Sequence, residues 1–181
     1  MNTSIFIAEN DRDQVWEHIL QPHDTRESAA FLFAKYDSRG EQKTLDVKDI
    51  RLISGADFKT QESDYIELSD EARISVIKKA HREDYALIEI HSHPFPGKWA
   101  AGFSQADMNG FAETVPNMLW RLPNRPYSAI VAAHSGFDAL TWPVSFTEPE
   151  SISALIVNNE ISKPTNYTLG GMNGKYSRRT I

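Results

Sequence analysis

Apolar residues recur along this chain in two rhythms, and each predicts a different element. "DRDQVWEHIL" pairs Val15 with Ile19 and Trp16 with Leu20 at four-residue spacing behind acidic residues, which predicts a helix. "SDEARISVIKKAHRED" predicts a second, clearer one. Acids lead it, Ile74 with Ile77 and Val76 with Ala80 make a stripe, and Lys78, Lys79, His81 and Arg82 suit its negative C-terminal end. Elsewhere the apolar residues alternate or run on. Ser4–Ala8 predicts a short strand, and Glu27–Tyr36 a buried strand stopped by the turn residues "SRGEQ". Leu45–Ser54, "DYIEL" and Tyr85–Ile90 predict three more strands, and "YSAIVAA", "HSGF" and "DALTW" together predict a β-hairpin.

The remaining stretches are less regular. "SQADMNGFAET" predicts a helix weakened by Gly110 and ended before Pro116. Beyond Trp142 and Pro143, "SISALIV" fits either a helix or an edge strand, and "NYTLGGMNGKYSRRTI" reads as a loose tail. No repeat and no low-complexity block is present. Strands and helices alternate without a regular βαβ rhythm, so the expected class is α/β or α+β, one sheet with flanking helices.

Composition narrows the function more than the fold. At 181 residues the chain suits one domain with a sizeable core. A net charge of −6 and a pI near 5.5 argue against nucleic-acid binding and against a membrane-surface role. With no cysteine, disulfides, thiolate catalysis and cysteine-ligated zinc are excluded. A zinc site here has to use His, Asp or Glu, which is the style of catalytic rather than structural sites. No apolar run is long enough to cross a membrane, and the N-terminus lacks the features of a signal peptide, so the expected location is the cytoplasm.

Candidate chemistry concentrates in "IEIHSHPFPGKWAAGFSQAD", Ile88 to Asp107. Residues two apart on a strand point to one side, so His91 and His93 offer two imidazoles to one point, and Pro94 ends the strand behind them. The same pair also fits two polar residues at a frayed strand end. Ser104 and Asp107, spaced S-x-x-D, read first as a capping box. A carboxylate held in the first turn of a helix also suits a third metal ligand, and two imidazoles with one carboxylate leave a fourth position for water. Glu89 lies on the same strand face as His91. It fits either a carboxylate that orients a ligand histidine or a solvent-facing residue. The other histidines lack ligand spacing. Trp99 and Phe103 fit either a substrate cleft or an exposed loop tip.

A glutamate opening an apolar strand, then "HSHP", then S-x-x-D, resembles the JAMM (MPN-plus) zinc metalloproteases. The matching residues are Glu27, His91-Ser92-His93-Pro94 and Ser104-Gln105-Ala106-Asp107. The likeness covers about residues 1–145, and the Tyr127–Trp142 hairpin is similar to strands that close the family's domain. Two departures stand out. Thirteen residues separate His93 from Asp107, more than is usual in the family, and Ala30 and Ala34 replace its usual glycines.

The resemblance implies a single MPN-like domain over residues 1–148, one curved mixed sheet flanked by helices, with 149–181 as a C-terminal extension or tail. It implies one zinc ion on His91, His93 and Asp107, Glu27 as general base and Ser104 as oxyanion donor. The implied reaction is hydrolysis of the amide after the C-terminus of a ubiquitin-like modifier. Implied partners are ubiquitin-like proteins or their conjugates, with E1-like and E2-like proteins, in a bacterial conjugation or antiphage defence system. Two other readings stay open: a zinc peptidase or amidase acting on a sulfur-carrier protein or short peptide, and an inactive MPN scaffold for protein contacts. A zinc deaminase is excluded because that chemistry needs cysteine ligands.

Overall fold

The computed structural model describes residues 2–94, 100–144 and 148–170. Strand β1 (Asn2–Phe6) leads into helix α1 (Glu9–Ile19), followed by strands β2 (Ala29–Arg39) and β3 (Gln42–Leu52). A small hairpin of β4 (Phe58–Gln61) and β5 (Ile66–Leu68) comes next, then helix α2 (Asp70–Arg82) and strand β6 (Ala86–Ser92). Helix α3 (Gln105–Arg121) precedes the hairpin β7 (Tyr127–Ala133) and β8 (Gly136–Trp142), and β9 (Glu150–Val157) and β10 (Glu160–Ser162) follow.

The sheet closes on itself. Pairing runs β1-β3-β2-β6-β7-β8-β9, and β9 returns to pair in parallel with β1, so seven strands form a barrel with β10 as an extra strand. This overturns the expected single curved sheet flanked by helices. Ile5 of β1 pairs Leu45 on one side and Leu155 on the other. Periodicity tells which side chains share a face of a strand. It does not tell which two strand edges meet. The stretch "SISALIV" is β9, an inner strand with β1 along one edge and β8 then β10 along the other. Closure pairs backbone groups that an open sheet leaves on its edges. Residues 150–157 are therefore a wall of the barrel, not an appendage to it.

Alternation along each strand sorts two clusters. Ile5, Leu32, Leu45, Ile88, Ile130, Ala139 and Leu155 belong to one buried cluster that draws on all seven strands, which makes it the barrel interior. Ala30 and Ala34 are fully buried in it, and α1 packs Val15 and Ile19 against it. The opposite face carries Phe31, Phe33, Leu87, Val131 and Trp142, covered by Val76 and Ala80 of α2 and by Phe111, Val115 and Met118 of α3.

Helix α3 does not stop before Pro116; the proline lies inside it. An interior proline costs about 3 kcal/mol by losing a hydrogen bond and crowding the carbonyl four residues back. Here Pro116 and Ala112 are both exposed, so the freed carbonyl is not shut away from solvent. Continuing the helix buries Met118 and brings Leu122 into the outer cluster, at about 1.5–3 kcal/mol per side chain. Burial outweighs the break.

Candidate metal centre

Strand β6 delivers the histidines with its neighbours holding the register. Ser92 N–H donates to Ser28 O (3.0 Å), and Ser28 N–H donates to Ser92 Oγ (3.0 Å), so the serine between the histidines is tied to the start of β2. One residue past the strand, His93 N–H still donates to Ala132 O of β7 (2.8 Å). His91 is buried and His93 half-buried on the face covered by α3.

Helix α3 brings the third group. Ser104 Oγ accepts the Asp107 N–H (3.1 Å), and Asp107 Oδ2 accepts the Ser104 N–H (2.6 Å), a reciprocal capping box. The box holds Asp107 facing the imidazoles. Its Oδ1 lies 3.5 Å from His91 Nε2 and its Oδ2 3.4 Å from His93 Nε2. One donor atom from each of His91, His93 and Asp107 lies within 4.8 Å of the others, close enough to hold a metal ion. The capping and ligand readings of S-x-x-D are thus compatible in one side chain.

Those separations are informative. They are long for hydrogen bonds, yet two donors about 2.0–2.1 Å from a shared tetrahedral ion stand roughly 3.3 Å apart. Among the described residues, His91 Nε2 is buried without a hydrogen-bond partner, which costs about 1–3 kcal/mol when nothing satisfies the atom. Three carboxylates, Glu27, Glu89 and Asp107, surround His91 electrostatically. Two imidazoles and an acid in a negative pocket fit a divalent cation.

Glu27 enters from just before β2 and is 4% exposed. Its Oε1 lies 3.5 Å from His93 Nε2, beside the triad rather than in it. The β4–β5 hairpin holds its backbone: Glu27 N–H donates to Glu62 O (2.9 Å), and Gln61 Nε2 donates to Glu27 O (2.9 Å). Nothing in the spacing of Gln61 and Glu62 signalled this positioning role. Burial pushes the Glu27 carboxyl up to about 7, opposed by the nearby His91 and His93. Burial also works to raise the Asp107 pKa, but the two imidazoles and the Ser104 N–H outweigh it and hold that carboxyl well below the usual range. At His91, burial disfavours the imidazolium, and Asp107, Glu89 and Glu27 more than offset this, so its pKa rises.

Other expected positions fall differently. Ser104 is exposed, and while its oxygen accepts the Asp107 N–H its own hydrogen remains able to donate. Glu89 accepts a hydrogen bond from the Tyr127 hydroxyl and also interacts electrostatically with His91. Phe103 is buried with its ring edge on His91, centroids 5.8 Å apart, so it is no exposed loop tip. Trp99 lies outside the described residues. His18 Nε2 lies 2.9 Å from Ile53 O, in hydrogen-bonding contact with the backbone away from the triad.

A cleft of about 370 Å³ runs beside the triad between the β4–β5 hairpin and α3. Ile66, Leu68, Phe31, Phe111 and Met118 contribute apolar walls, and His91, Asp107 and Glu89 polar ones. No family model matches the chain, and no curated protein matches it. Among the described residues, no helix is long and apolar enough to cross a membrane.

Proposed function

We propose that this chain is a zinc-dependent peptidase of the JAMM (MPN-plus) kind, hydrolysing the amide bond that follows the C-terminus of a ubiquitin-like modifier. The observation that carries the reading is a buried carboxylate, Glu27, beside a His-His-Asp triad whose His91 and Asp107 line a cleft. A triad of two histidines and one acid suits zinc with an open position. The substrates are conjugates of a ubiquitin-like protein, with E1-like and E2-like proteins as functional neighbours. β5 borders the cleft, and among the described residues it pairs only with β4. That arrangement suits an extended, tail-like peptide laid along the hairpin.

Bound zinc supplies Lewis acidity, lowering the pKa of a water to about 7 and polarising the scissile carbonyl. Glu27 accepts a proton from the water as its oxygen adds to the carbonyl carbon, and returns that proton to the amide nitrogen as the carbonyl re-forms and the C–N bond breaks, leaving a carboxylic acid and a free amine. Without the ion, burial holds the Glu27 carboxyl up at about 7; a neighbouring dication would favour its ionised form, which is the form a general base needs. Ser104 donates its hydroxyl hydrogen to the carbonyl oxygen as negative charge grows there.

The test uses ubiquitin-like proteins carrying a C-terminal amide-linked fluorophore, with metal content measured on the same samples. Glu27→Ala is expected to lower turnover by about 10²–10⁴-fold while keeping close to one zinc per chain. Asp107→Ala is expected to lose both. Parental turnover in Glu27→Ala removes the assigned base, and a parent that retains no zinc removes the whole assignment.

A further inference from the structure

The residues after β10 reach back to residues 101–103, which lead into Ser104 and helix α3. Thr165 Oγ1 donates to Ala101 O, and Thr165 N–H donates to Phe137 O (2.9 Å). Thr168 is buried at the centre of this clasp. Its Oγ1 accepts the Phe103 N–H (2.9 Å) and donates to Asp138 Oδ2 (2.7 Å), and its backbone N–H donates to the same oxygen (2.9 Å). Asp138 is fully buried at the start of β8, and its other oxygen accepts the Ala139 N–H (2.9 Å). Gly102 permits the close approach, since a Cβ there would come within 2.7 Å of the Tyr167 ring.

Phe103 connects this clasp to the triad in two ways. Its ring packs edge-on against the buried His91 imidazole. Its backbone is one residue from Ser104, whose N–H and Oγ hold Asp107. The relay Asp138, Thr168, Phe103 therefore reaches a ligand on each side of the triad. We infer that Thr168 and Asp138 are positioning residues of the metal site, so that the site is completed by a C-terminal segment lying more than 60 residues beyond Asp107. Groups that orient ligands from behind typically change metal affinity by about 10–100-fold when lost.

The inference rests on the metal reading of the triad, and full-length Thr168→Val and Thr168→Ser variants test it. Zinc affinity is measured by competition with a chromophoric chelator, and coordination by the visible absorption of the cobalt-substituted protein. Valine keeps the shape and loses the hydroxyl; it is expected to weaken zinc at least about tenfold and to alter the cobalt bands. Serine keeps the hydroxyl and is expected to retain both. Parental affinity and spectrum in Thr168→Val overturn the inference, as does equal impairment by valine and serine. Should Thr168→Val fail to fold, Asp138→Asn decides in the same assays, with weakened zinc expected and parental binding overturning. A parent that binds neither ion removes the metal reading itself, whereas a binding parent matched by its valine variant removes only the clasp.

Discussion

Replacing Asp107 with alanine removes a helix cap and, on the zinc reading, a metal ligand, and comparing stability with and without zinc separates the two. In chelator, the variant loses the bond from the Ser104 N–H and a carboxylate in the first turn of α3. Capping and helix-dipole contributions of this kind are worth about 1–2 kcal/mol together. On the zinc reading, free zinc at about a thousand times Kd would stabilise the parent by roughly 4 kcal/mol, because only the native state would hold the ion. The variant, left with two imidazoles, gains little. The cost of Asp107→Ala should therefore grow from about 1–2 kcal/mol in chelator to about 5–6 kcal/mol in zinc. Urea unfolding followed by tryptophan fluorescence measures both, with buried Trp142, packed on Phe111 and Tyr127, as one reporter. An equal cost in the two buffers, or a parent indifferent to zinc, would refute the reasoning.

Two further outcomes are expected. Gly110 sits inside α3 and lines the cleft, and a Cβ added there meets nothing within 4 Å. Gly110→Ala should stabilise the protein by about 0.5–1 kcal/mol with zinc content unchanged, and a lowered melting temperature would count against this. The second concerns Glu27, whose carboxyl is raised to about 7 in the folded chain. A raised carboxylate pKa means that the folded state holds the proton more tightly, so this group's contribution is favourable at low pH and lost as pH rises from about 4.5 to 7. In chelator, Glu27→Gln should gain stability relative to the parent across that window, and a pH-independent difference in urea midpoints would contradict the assignment.

Much of the site could be read from local pattern, and its supports could not. His91 and His93 share a strand face because side chains alternate, and S-x-x-D forms a capping box because Ser and Asp at that spacing satisfy each other's backbone amides. Choosing Glu27 from the chain's many acids depended on the family resemblance, since no short-range pattern marks it. Its backbone partners, Gln61 and Glu62, lie on a hairpin more than 30 residues away. Pro116 misled because propensity is a weak prior beside the burial of Phe111, Val115 and Met118 on one face.

By itself the sequence determined that no metal here meets a thiolate, that two imidazoles leave one strand on the same side, and where most strands and helices lie. Only the tertiary structure decided that β9 closes a barrel against β1, and that Asp138 and Thr168 stand behind the loop that delivers Asp107. The physical reason is range. Repeating positions and caps act within a few residues, whereas pairing Ile5 with Leu155 depends on how edges and buried faces fit once the whole chain has collapsed.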